Sequence, residues 1–156
     1  MSLTGWIHVI AAMAALVVGG IQFLLTKGTP RHALLGRAYA VLMLLLNVSA
    51  LATYSQTGHW GVFHWMSLSS LCTLAVGVAS IQGRYTAPSV YRHGVFMGWS
   101  YVGLVAAGVA QLTHAVMDAV LLPAVAVLVV GGILVHALTP SAAIPVPTTD
   151  SSPCRL

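Results

Sequence analysis

Ser55-Gln56-Thr57-Gly58-His59-Trp60-Gly61 stands in the middle of a run, Ala38 to Gly83, that holds no Lys, Arg, Asp or Glu. A helix needs roughly 20 mostly apolar residues to cross the hydrocarbon core of a bilayer. The run is long enough for two such helices, and its polar, Gly-containing centre marks the turn between them. Three further charge-free runs flank it: Met1 to Thr26, His93 to Met117 and Ala119 to Thr149. Together they predict an all-α integral membrane protein with helices over about 4–25, 32–55, 61–82, 90–113 and 117–138.

Composition agrees. Of 156 residues, 58% are hydrophobic and only 5% are charged, against about 25% charged in a soluble domain. Mean hydropathy is +0.93. These values exclude a soluble enzyme, a disordered regulator and a DNA-binding domain. The net charge of +4 does not point to nucleic acid, because the basic residues are separated by apolar runs and form no basic face. The expected surroundings are lipid.

The few cations set an orientation. Lys27, Arg31 and Arg37 flank the first connection, Arg84 and Arg92 the third, and Arg155 lies in the tail. The second and fourth connections have neither Lys nor Arg. Cytoplasmic loops are enriched in these residues, so the N-terminus is expected outside and the C-terminus in the cytoplasm. The first Lys follows the first apolar run instead of preceding it, which predicts a retained helix and not a cleaved signal peptide. From about residue 139 to 156 the chain is rich in Pro, Ser and Thr, the composition of a disordered tail. Cys72 is mid-span and Cys154 is in the tail, so no disulfide is expected.

Residues 4–55 and 61–113 read as two copies of one helical hairpin. Each begins with a histidine near the outer face, His8 and His64. Each second helix opens with Arg-His, Arg31-His32 and Arg92-His93, followed by a glycine (Gly36, Gly98) and a tyrosine (Tyr39, Tyr101). Two hairpins in the same orientation predict a four-helix bundle with the fifth helix packed outside it. Small residues supply the contact faces that membrane helices require: Ala11, Ala12, Ala15, Gly19 and Gly20 on helix 1, and Gly94, Gly98, Gly103 and Gly108 on helix 4.

Seven histidines accompany only two acids. His8 and His64 form an outer pair, and His32 and His93 an inner pair in first turns, after the helix-start signals Thr29-Pro30 and Pro88-Ser89. Imidazole is a standard axial ligand of haem, and bundle cores are where such sites are built. Two pairs predict up to two b-type haems. Propionates need cationic partners; Arg31, Arg37 and Arg92 supply them on the inner side, and the outer side has none. His93 and Met97 lie four residues apart on one helix face, so copper is a lesser candidate. His114 and Asp118 are spaced for a helical hydrogen bond. Gln22 lies on roughly the face of His8, where it could bond across helices or to a quinone head group.

The stretch His32-Ala-Leu-Leu-Gly36-Arg37-Ala-Tyr39, then Phe63-His64 with Ser69-Ser70-Leu71-Cys72, then His93-Gly-Val-Phe-Met97 with Tyr101, resembles a bacterial family of predicted polytopic membrane proteins, domain of unknown function 2306. The resemblance covers roughly residues 5–113 and leaves out helix 5 and the tail. It implies the polytopic fold and a bacterial cytoplasmic membrane, and it points to His8, His32, His64 and His93. It implies no reaction.

Two functions stand side by side. One is a small b-type haem protein carrying electrons, with quinone as a candidate partner and cytochrome-type oxidoreductase as its class if it is an enzyme. The other is a non-catalytic membrane subunit or assembly factor, within a larger complex or homo-oligomer, whose histidines cap helices, pack or transiently hold haem or copper.

Overall fold

The computed structural model describes residues 2–52, 61–83, 85–117 and 121–139. Five helices account for most of them, with no strand among the described residues: α1 (Leu3–Leu24), α2 (Pro30–Ala52), α3 (Val62–Ala79), α4 (Ala87–Met117) and α5 (Leu121–Leu138). Leu3–Leu24, Pro30–Ala52 and Ala87–Leu112 are long and apolar enough to cross a membrane. The apolar stretches His64–Ala79 and Leu122–Leu138 are shorter. At about 1.5 Å per residue, helices the length of α3 and α5 reach ~27 Å, just under the ~30 Å hydrocarbon core.

Local chemistry sets the helix ends. Ser2 caps α1 by accepting the Gly5 N–H. At the other end Lys27 Nζ donates to the Gln22 and Phe23 carbonyls, placing positive charge where the helix leaves carbonyls unpaired. Gly28 then takes a left-handed conformation, φ 79°. Thr29 accepts the His32 N–H at 3.2 Å, and Pro30 occupies the first position of α2, where its missing N–H costs nothing. Thr86 and Ser89 exchange side-chain and backbone bonds at 2.9 and 3.3 Å, a reciprocal cap that starts α4 at Ala87.

That cap moves a boundary. The sequence predicts helix 4 from about residue 90, with His93 in its first turn. The structure makes His93 the seventh residue of α4, about 9 Å along the axis from the helix start. The helix also runs on to Met117, past the predicted end at 113. Helix 5 correspondingly starts at Leu121, later than predicted.

α1 packs along α2, α2 against α3, α3 along α4 and α4 along α5, while α4 also touches α1. Ala11, Ala15, Tyr39, Met43, Leu46, Leu74 and Leu104 form one buried cluster. Val95, Val102 and Val135 form a second, joining α5 to α4. The small-residue face of α1 is buried as expected at Ala11, Ala15 and Gly19. On α4 the expectation holds for Gly98, where an added Cβ would lie 2.8 Å from Val135, but not for Gly103 or Gly108, which face open space. Large apolar side chains remain exposed along α1, Trp6, Ile10, Met13 and Val17 among them. So extensive an apolar surface is one that lipid covers.

Candidate functional site

Lys27, Arg31, Arg37 and Arg92 gather at the end made by the α1–α2 and α3–α4 connections, here termed the basic end. Arg31, Arg37 and Arg92 are exposed. No carboxylate side chain occurs among the described residues, since Asp118 and Asp150 fall outside them. No side-chain carboxylate among the described residues therefore neutralises these cations. Lys27 is the most engaged of them, and partial desolvation holds its ammonium below the ordinary value of 10.5.

Two of the four singled-out histidines, His32 and His93, lie toward this end. His93 Nδ1 lies 2.8 Å from the Gly77 carbonyl on α3. A carbonyl only accepts, so Nδ1 carries the proton and Nε2 keeps a lone pair. Met97, one turn further along α4, lies over the same glycine: a Cβ on Gly77 would stand 2.9 Å from the Met97 sulfur. His32, on α2, is in electrostatic range of both His93 and Lys27. Its carbonyl accepts Gln22 Nε2 from α1 at 3.0 Å. Its Nδ1 is buried without a hydrogen-bond partner, and so is Gln22 Oε1. Gly36 makes this approach feasible, because a Cβ there would strike Gln22 Nε2 at 2.9 Å.

The other two histidines are engaged separately. Ser49 gives its hydroxyl proton to the Leu46 carbonyl at 2.8 Å, so at its 3.1 Å contact with His8 Nδ1 the serine oxygen accepts. His8 thus presents an Nε2 lone pair. His64 is the reverse. The Gly61 N–H donates to His64 Nδ1 at 3.1 Å, which caps the start of α3 and puts the proton on Nε2. α1 and α3 do not pack along each other.

Between the two levels the interior is filled. Ser100 donates to the Met97 carbonyl at 2.8 Å, so Tyr39 donates to Ser100 at 3.0 Å. Tyr101 donates to the Leu16 carbonyl at 3.2 Å. Asn47 bonds the Met43 carbonyl and Ser70, at 2.7 and 3.2 Å. In the sequence Tyr39 and Tyr101 stand out as repeat markers and as part of the family motifs, whereas Asn47 and Ser100 carry no pattern of their own. Their signal was available: an isolated polar group in an apolar run must find a partner inside the protein.

Two concavities stand out. One is an open apolar groove of about 600 Å³ along α4 and α5, lined by Trp99, Gly132 and His136 among others; the other lies at the α1–α2 turn, beside Thr29 and Arg31. Neither is lined by His8, His32, His64 or His93. Among the described residues no three of His, Cys, Asp and Glu cluster as a metal site. The His114–Asp118 pair, His59 and Arg84 fall outside the described side chains.

The model of a family of predicted membrane proteins, DUF2306, matches residues 5–145. The chain belongs to that family. No curated protein and no solved structure matches it. The DUF2306 match extends beyond the 5–113 expected from the motifs and takes in α5. In the structure Val135 of α5 packs on Val95 and Val102 of α4.

Proposed function

We propose that this DUF2306 protein is a membrane-embedded b-type haem protein and that its principal site is the His32–His93 pair at the basic end. The observation that carries the reading is the His93 Nδ1–H bond to the Gly77 carbonyl. It fixes the imidazole and leaves Nε2 as an available donor, the arrangement that orients a ligating histidine. His32 supplies a second imidazole from a different helix. Arg31, Arg37, Arg92 and Lys27 supply positive charge where propionates need it. Bound there, haem would supply one-electron redox chemistry, and the chain's own residues would hold it, orient it and neutralise its acids.

The reading extends to architecture. The helix contacts support a four-helix bundle of two parallel hairpins with α5 outside, and the cations at one end support the cytoplasmic side for that end. A bacterial cytoplasmic membrane and a quinone as redox partner complete the proposal. A second haem on His8 and His64 has less support, because His64 would have to release its cap and move its proton.

The second reading, a non-catalytic subunit or assembly factor, has its own supporting observation: Tyr39, Met43 and their neighbours close the mid-span interior. Handling of copper through His93 and Met97, both seated on Gly77, is a variant of it. Reduced-minus-oxidised spectra of protein purified after haem-replete expression separate the two. Sharp α and Soret bands that survive in His64→Ala and vanish in His93→Ala are expected. A flat wild-type spectrum refutes haem binding.

A further inference from the structure

Gln22 and His32 each bury one polar atom that nothing satisfies, and the two atoms belong to side chains already joined. Gln22 Nε2 donates to the His32 carbonyl, which fixes the sense of the amide: Nε2 is committed, and Oε1 is left as a buried acceptor with no donor. Gly36 lets the amide lie against α2, since a Cβ there would collide with it at 2.9 Å. His32 Nδ1 is the other orphan. A buried polar group without a partner is costly, and native interiors keep few of them.

One event would satisfy both. When the Nε2 of an imidazole is engaged by a metal, Nδ1 carries the proton and needs an acceptor. Gln22 Oε1 is an acceptor from the side chain already bonded to that residue. We infer that Gln22 is the positioning residue of His32: with haem held through His32 Nε2, Gln22 Oε1 would accept the His32 Nδ1–H and fix the ring. The inference rests on the haem reading above and deepens it. His93 has the Gly77 carbonyl in the corresponding role, so each imidazole of the pair would be buttressed from a neighbouring helix, His32 from α1 and His93 from α3.

The test titrates hemin into purified full-length protein and measures retention and midpoint potential in the wild type, Gln22→Leu and Gln22→Glu. Leu removes the acceptor, so retention falls roughly 10-fold or more and the potential rises. Glu is a stronger acceptor, makes His32 more electron-donating and lowers the potential. Opposite shifts from one position are what a merely structural role would not produce. Gln22→Asn withdraws the carbonyl by one methylene and replaces Gln22→Leu should that variant fail to fold. Wild-type haem binding with variants unchanged, or shifted in the same direction, overturns the role of Gln22 and leaves the haem reading standing. No hemin uptake by the wild type overturns both.

Discussion

Gly19→Ala tests whether the interior is packed as described. An added Cβ would stand 2.5 and 2.7 Å from two carbons of the Tyr101 ring and 2.9 Å from one of Tyr39. Carbon atoms prefer about 3.5–4.0 Å, so the rings must retreat by roughly 1 Å. They have little room to do so. Tyr39 is 2% exposed and its hydroxyl is bonded to Ser100. Tyr101 is bonded to Leu16 and meets Phe23 edge-on at 5.2 Å. Overpacking costs about 1–3 kcal/mol, and a displaced hydroxyl adds about 1 kcal/mol. Replacing a helical glycine by alanine returns about 1 kcal/mol. The net is a destabilisation of about 1–3 kcal/mol, read as a lower melting temperature in detergent. Gly103→Ala is the control: nothing lies within 4 Å of its added Cβ, so it should be neutral or slightly stabilising. A Gly19→Ala protein as stable as the Gly103→Ala protein would refute the packing of Tyr39 and Tyr101 on α1.

Met43 is 1% exposed and Met13 is 59% exposed, so Met43→Ala should cost about 2–5 kcal/mol while Met13→Ala leaves detergent stability nearly unchanged; equal effects would contradict the assigned core. Lys27 makes a pH prediction. Because desolvation lowers its folded-state value below 10.5, the unfolded chain binds the proton more tightly between that lowered value and 10.5. Stability should therefore rise with pH through that window and stay flat below it. Thermal melts of wild type and Lys27→Met across the range check this, and a rise of equal size in both proteins assigns it elsewhere.

Much of the fold was legible because a charge-free run has few outcomes. The first and third connections follow from where Lys and Arg interrupt apolar sequence, the second from the polar, Gly-containing stretch 55–61, and the turn after Leu25 from Gly28 and Thr29-Pro30. Helix boundaries are less legible. Pro88-Ser89 signals a helix start, but its reciprocal bond partner Thr86 lies two residues before Pro88 and starts the helix at Ala87. The contact faces were half legible for a related reason. A small residue permits close approach, but only a neighbour at the right height uses it: Gly98 meets Val135, and Gly103 meets nothing. Sequence lists the permissions, and packing decides which are taken.

The same point governs the histidines. His8 and His64 occupy matching places in the two hairpins, yet their rings carry the proton on opposite nitrogens. The cause is distance from the helix start. His64 is the third residue of α3, where a side chain can reach back to accept the N–H of the cap residue. His8 is the sixth residue of α1, too far along to do this, and turns to the hydroxyl of Ser49 on α2. His32 is likewise third in its helix, but Thr29 already serves that helix start, which leaves its imidazole free of capping duty. His93, seventh in α4, reaches across to α3. Matching positions in sequence therefore preserve residue types without preserving their chemistry. The pair freed from capping is the one at the basic end, and that is the physical reason the proposed site is put there.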